Sequence, residues 1–184
     1  MASGGTFKIQ SDIKSPMLVK VTLSFLLLSI AVWAGLGASD RMYAKSIPRL
    51  ADEDFEQAII NNKWEQGGSP FLLESLADRA FRLEKPDYSF AENALKRALI
   101  IEPRNSVLYT KLAFSLANQT KTDVRNKEIV SALNTSYELM PYAKRAFSYW
   151  RVNFVLKSNL NLPQNIIDYA KREAKLYNFR RFME

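Results

Sequence analysis

The stretch Val21–Ala38 (VTLSFLLLSIAVWAGLGA) constrains this chain more than any other. It is eighteen residues without a charge, in a chain of 184 residues of which 24% are charged. Such a run suits one helix across a bilayer, because about 20 apolar residues at about 1.5 Å rise cover the roughly 30 Å hydrocarbon layer. Met17, Leu18 and Val19 extend the run beyond Lys20, whose long side chain can snorkel to the interface. Trp33 near the far end suits an interfacial aromatic. The expected order is a flexible tail over 1–16, a transmembrane anchor over 17–38, a polar linker over 39–49 and a helical domain over 50–184.

A cleavable signal has a shorter apolar core, about 7–15 residues, and small residues before the cut. The run is longer than that, which favours an uncleaved anchor. Gly37 and Ser39 keep a cut after Ser39 open as the alternative. Orientation is finely balanced. Lys8, Lys14 and Lys20 precede the run, and Arg41, Lys45 and Arg49 follow it closely, so the count of flanking cations nearly ties. A short tail before a single apolar run favours a cytoplasmic tail and an exported domain. A cytoplasm-facing adaptor is the opposite reading.

The net charge is +7, and the part after Ala38 holds +5 of it. A basic surface favours acidic partners such as headgroups, acidic glycans or acidic proteins. No block of five like charges appears, so a solvated basic surface is the plainer reading. The chain has neither cysteine nor histidine. Disulfides, thiolate nucleophiles and Cys-ligated metals are therefore excluded, and the commonest general base and transition-metal ligand is missing. No carboxylate pair, Gly-rich phosphate loop or serine-nucleophile motif stands out. The chain is expected to be non-catalytic, with no cofactor and no metal site.

Beyond the linker the apolar spacing is helical throughout. Leu50, Phe55, Ala58 and Ile59 recur on one face, with Asp52, Glu53 and Asp54 in the first turn, where carboxylates complement the helix dipole. Gly67-Gly68-Ser69-Pro70 breaks the chain, with Ser69 and Pro70 set to start the next helix. That helix covers Phe71 to Leu83. Ser89 with Glu92 reads as a capping box for a helix reaching about Glu102, and Pro103 stops it. Asn105 caps a helix carrying Leu108, Leu112, Ala113 and Leu116. Thr120–Asp123 is a turn, and a longer helix carries Ile129, Leu133, Tyr137 and Leu139. Ala143, Phe147, Trp150 and Phe154 mark the next helix. Pro163 sits in the first turn of the last one, with Ile166, Ala170 and Ala174. No sustained alternation appears, so no sheet is expected.

The helices repeat. ALKRALIIEP (Ala94 to Pro103) recurs 38 residues later as ALNTSYELMP (Ala132 to Pro141), and weakly 37 residues after that as YAKREAKLYN (Tyr169 to Asn178). A fixed period of this size, built from two antiparallel helices, marks a helical solenoid. The pattern resembles the tetratricopeptide repeat family. Ala91, Leu95, Ala98 and Pro103 match that family's second helix, and Tyr109, Leu112, Ala113 and Leu116 match its first. Ile129, Leu133, Ser136 and Pro141 match loosely. Trp150-Arg151 departs, placing a large cation where the family has a small residue, and the turn at Lys121–Asn126 is long for the pattern. An unrelated helical bundle could carry the same motif. The resemblance implies an all-α fold: one N-terminal transmembrane helix followed by a short solenoid of antiparallel helix pairs that binds a protein partner.

The whole layout, with the stretch MPYAKRAFSYW, is similar to accessory proteins of bacterial exopolysaccharide or envelope assembly. That likeness implies a single-pass protein of the bacterial inner membrane with a periplasmic domain, scaffolding such a complex. The C-terminal third is both basic and aromatic. Tyr142, Lys144, Arg145, Tyr149, Arg151, Lys171, Arg172 and Lys175 are the candidate partner-binding residues, beside Lys157, Phe179, Arg180, Arg181 and Phe182. Cations and aromatics in this mix suit an acidic peptide or, as the alternative, an acidic polysaccharide held by an accessory subunit or enzyme component. The plainer alternative makes the aromatics core and the cations a solvated face. Nucleic acid is not expected as a partner, since the charge is modest.

Overall fold

A computed structural model describes residues 16–62, 68–119 and 122–182, and among them every regular element is helical. The chain is all-α. It divides into two units, residues 1–39 and 40–184. In the first unit the described part is one helix, the opening stretch of α1 (Pro16–Ser46). Its large apolar side chains, Phe25 and Leu28 among them, are exposed. Among the described residues no helix is long and apolar enough to cross a membrane. The side chains of 17–20, 33, 36 and 37, which belong to the expected anchor, lie outside the described residues, as do the tail over 1–15 and the side chain of Pro16.

The second unit begins within α1. Where the sequence reads as a polar linker over 39–49, the helix continues through Ser46. A 3-10 turn, Ile47–Arg49, then closes it. Pro48 explains the stop, because it lacks the N–H that another turn would need. Ala44 and Ile47 join the core. Then follow α2 (Asp52–Asn62), α3 (Pro70–Ala80), α4 (Tyr88–Ile101), α5 (Ser106–Ala117), α6 (Asp123–Leu139), α7 (Arg145–Lys157) and α8 (Gln164–Leu176), with a final 3-10 turn at Arg180–Phe182.

The helix starts follow capping chemistry. Ser69 accepts from Leu72 N, with Pro70 at the first helical position. Gly68 before it has φ +119°, where a side chain would be strained and would press on Leu72. Asn105 accepts from Val107 N and Leu108 N, and Thr122 from Arg125 N. The α4 cap corrects the expected capping box. Asp87 is the cap, accepting from Phe90 N at 2.9 Å. The helix starts two residues earlier than Ser89 would set it, so Glu92 moves into the helix body and turns inward. Pro163 likewise precedes α8 rather than entering its first turn.

Packing proceeds from neighbour to neighbour. α3 lies on α4, α4 on α5, α5 on α6 and α7 on α8, while α6 also meets α8 and α5 meets α7. Ala91, Ala98 and Ala113 are fully buried; their small side chains allow the helix backbones to come close. Leu76, Leu95, Leu108 and Leu133 fill the layers between and are also fully buried. Each such leucine stabilises the fold by about 1.5–3 kcal/mol. Leu139, expected on the apolar face of α6, is exposed at the helix end. Ion pairs join distant elements. Lys111 on α5 reaches Glu74 and Asp78 on α3 at 2.7 and 2.6 Å. Buried Arg79 on α3 holds Asp52 and the Leu50 carbonyl. The Glu84 backbone N–H and then Arg79 hold the Asp52 carboxyl below the usual carboxylate range.

Candidate functional site

Helix α7 divides the candidate residues by the face they occupy. Arg145, Tyr149, Asn153 and Lys157 recur every fourth residue and so follow one side of the helix. The chain end folds against that side. Asn178 takes the left-handed conformation at φ 54°, which asparagine tolerates. Phe179 N then donates to Ala174 O at 2.9 Å, and Asn178 N to Lys175 O at 3.2 Å. This pair of bonds closes α8 and turns the backbone sharply. It sends Phe179 and Phe182 toward α7.

Tyr149 packs edge-on to Phe179 at 5.3 Å and lies 5.6 Å from Phe182. The Arg145 guanidinium sits 6.0 Å from the Phe179 ring centre, and Lys157 Nζ 5.9 Å from that of Phe182. The result is a partly exposed aromatic strip with a cation at each end. Lys144, Arg180 and Arg181 are exposed beside it in sequence. None of these five cations has a carboxylate partner among the described residues. The start of α7 is also uncapped by any side chain and has no acid in its first turn. Lys144 and Arg145 therefore sit at the positive end of a helix dipole, where an anion would be favoured.

The other expected residues scatter. Tyr142 is exposed on the loop before α7. Lys171, Arg172 and Lys175 are exposed on α8, opposite its buried Ile166, Ala170 and Ala174, with Arg172 over the Tyr169 ring. Arg151 requires a correction. It is wholly buried and cannot meet a partner at the surface.

Arg151 instead anchors a buried polar network. Its Nε and Nη2 donate to the two oxygens of Glu173 on α8 at 3.0 and 2.6 Å. Both residues are 0% exposed. Nη1 donates to Met140 O at 3.0 Å and to Ser136 Oγ at 3.2 Å, and Nη2 to Pro141 O at 3.3 Å. Arg151 thus satisfies carbonyls left open at the end of α6. The Ser136 hydroxyl lies 2.6 Å from Thr110 Oγ1 and donates to Ser106 O at 2.9 Å. Ser148 Oγ donates to Glu173 Oε1 at 2.5 Å. The Tyr137 ring lies under the guanidinium at 4.1 Å. Burial drives the Tyr137 hydroxyl pKa upward. The network is closed to solvent and joins α5, α6, α7 and α8.

A groove of about 530 Å³ runs between the ends of α5 and α7. Phe114 and Phe154 line it beside Asn118, Asn153, Asn159 and Lys157. Phe114 also meets Phe81 at 5.2 Å and Trp150 at 5.4 Å. Lys157 borders both this groove and the aromatic strip. Among the described residues no cluster of three metal-ligating side chains occurs. Phe179 and Phe182 are the site residues that sequence reasoning left outside its candidate set. Asn178, followed by an aromatic at the end of a helical pattern, is the local signal that points to their inward turn.

Comparison with protein-family models, with curated proteins and with solved structures finds no match.

Proposed function

We propose that this chain is a membrane-anchored, non-catalytic scaffold whose basic aromatic strip captures an acidic segment of a partner protein. The observation that carries this reading is the strip itself. Among the described residues Arg145, Lys157 and their neighbouring cations have no carboxylate partner, and they lie beside the buried Phe179 and the more exposed Tyr149 and Phe182. Aromatic rings supply contact area, and Arg supplies bidentate recognition of carboxylates. The uncapped, cationic start of α7 favours the same sign of ligand.

The anchor belongs to the proposal. An uncharged eighteen-residue run whose described apolar side chains stay exposed is suited to lipid. The tetratricopeptide-like solenoid is likewise a proposal, supported by the successive packing of α3 through α6 and by the 38-residue echo. Placement at the bacterial inner membrane with a periplasmic domain, within an envelope or polysaccharide assembly complex, rests on the order of tail, apolar run and helical domain and on the likeness of Met140–Trp150.

The test is cross-linking in native membranes followed by co-purification. An Arg145→Glu, Lys157→Glu double variant that anchors normally should lose the partner recovered with the unaltered chain. Recovery of the same partner in equal yield would sink the reading.

A second reading has its own observation. The groove beside Lys157 combines two phenylalanines with three asparagines, a lining that suits an acidic polysaccharide. Salt-sensitive binding of a uronic acid polymer, lost in Asn153→Asp with Lys157→Glu and kept in Arg145→Glu, would favour the groove over the strip.

A further inference from the structure

Charge is divided along this chain. Residues 52–102 hold eleven Asp and Glu against six Lys and Arg, whereas 103–184 hold fourteen Lys and Arg against six Asp and Glu. The order of packing keeps an acidic and a basic surface apart. α2 belongs with the first helix pair: the buried Phe55 ring stands edge-on to Phe90 of α4 at 6.1 Å, with the Arg79 guanidinium of α3 at 5.6 Å. With Phe55 turned inward, Glu53, Asp54, Glu56 and Gln57 are exposed. Asp52 is held by Arg79 and by Glu84 N. Glu53, Asp54 and Glu56 have no ion pair among the described residues. The basic aromatic strip belongs to α7 and the final turn, with α5 and α6 between it and the first pair. Two surfaces of opposite sign are thus left unanswered, one at each end of the helix order.

We propose that the strip of one copy docks α2 of a second copy, with Glu53, Asp54 and Glu56 against Arg145, Lys157 and their neighbouring cations. The inference rests on the reading of the strip as a site for acidic protein, and it names the occupant. Helices pack at about 8–10 Å spacing, so the intervening α5 and α6 keep the α2 acids from the strip of their own copy. An anionic lipid surface would answer the strip and leave the α2 acids bare, whereas a second copy answers both. The two surfaces differ, so the contact is heterologous: each copy offers one of each kind, and copies join head to tail. Exposed ion pairs are weak singly. Tyr149 and Arg145 supply the residue types that dominate interface energetics, and anchoring in one membrane would raise the local concentration of copies.

The chain has no cysteine, so introduced thiols are the only ones present. Two full-length copies with different tags, one carrying Asn153→Cys on α7 and the other Gln57→Cys on α2, are reconstituted together in phosphatidylcholine liposomes at low density and treated with a short bismaleimide. The mixed product should dominate over strip-to-strip and α2-to-α2 products. Salt at about 1 M, which cuts the screening length to about 3 Å, should suppress it. Arg145→Glu with Lys157→Glu in the first copy should lower the mixed product about tenfold, and Glu53→Lys with Glu56→Lys in the second should restore it. Thermal melts show which variants stay folded, and the salt series needs no charge reversal. Absence of a mixed product, indifference to salt, or a yield unchanged by the folded strip reversal would each overturn the proposal. Loss of the mixed product when anionic lipid replaces part of the neutral lipid would assign the strip to headgroups and overturn it too. If the copies stay apart while strip reversal still loses another protein in native membranes, self-docking falls and the scaffold reading stands; if neither effect appears, both fall.

Discussion

Two arginines on α7, six residues apart, meet opposite fates. Arg145 lies exposed against the Phe179 ring with no carboxylate partner among the described residues, whereas Arg151 is sealed inside with Glu173. Six residues turn a helix by about 600°, or about 240° around its axis, so the two cannot share a face. Position alone does not explain the difference, since a buried guanidinium is costly wherever it lies. What separates them is the supply of acceptors. Arg151 finds both oxygens of Glu173, a hydroxyl and the open carbonyls at the end of α6. Among the described residues Arg145 finds a ring and no carboxylate. Glu92 stands between these extremes. It is nearly buried, yet its partners Lys96 and Arg125 reach toward solvent. The lesson is that charge in this fold is graded by how completely the chain answers it.

The steepest test of that grading is Glu173→Gln. It leaves the Arg151 charge buried and half-answered, and unfolding free energy should fall by about 3–5 kcal/mol, read as a shift of the urea midpoint. Arg151→Met with Glu173→Leu should lose less than the single variant, because no charge remains inside. A loss under about 1 kcal/mol for Glu173→Gln would place Arg151 with Arg145 and erase the contrast.

The intermediate case is tested by pH. Burial alone would raise the Glu92 carboxyl, but hydrogen bonds from Lys96, Arg125 and Gln119 outweigh it and bring its pKa from 4.5 down to about 2. A carboxyl depressed on folding stabilises the fold above its unfolded pKa, and that stability is lost as pH falls through the folded value. The contribution, up to about 3 kcal/mol, should therefore be present at pH 7 and drain away between roughly pH 5 and pH 2. The difference in stability between the unaltered chain and Glu92→Gln should shrink over that window. A difference independent of pH would mean that Glu92 acts through packing alone.

The smallest effect belongs to Arg145→Ala. An exposed cation on a ring contributes about 0.5–1 kcal/mol, so thermal unfolding should barely move. A large loss of stability would make Arg145 a structural residue and weaken its place in a partner-binding strip.

Much of this architecture was legible in the chain. The apolar spacing of α3 to α6, the Ser69–Pro70 start and the Asn105 cap depend on neighbours within a turn or two, and local rules reach that far. The α4 cap was misplaced because Asp87 and Ser89 are both good caps two residues apart, and only the backbone decides between them. On α7 the expected stripe put Phe147, Trp150 and Phe154 innermost. Phe154 is buried as expected, but Arg151, Val152 and Val155 are buried with it, while Phe147 and Trp150 are half-buried. The acceptor that admits Arg151 lies on the next helix, and periodicity within α7 carries no trace of it. Among the site residues, Arg145 and Tyr149 could be read as candidates. Their union with Phe179 and Phe182 depends on the left-handed turn at Asn178.

The Arg151–Glu173 pair also sets an order of events during synthesis. The carboxylate lies twenty-two residues downstream of the guanidinium. As the chain leaves the ribosome, α7 therefore emerges well before its counter-ion. α3 to α6 bury apolar side chains against one another and can assemble as they appear. α7 can settle only with its arginine in water or in a transient contact, until α8 arrives. The interior ion pair thus acts as a late latch. Chains stalled or cut before Glu173 would present an unanswered cation and an open apolar seam, a form that quality-control proteases and chaperones are suited to catch.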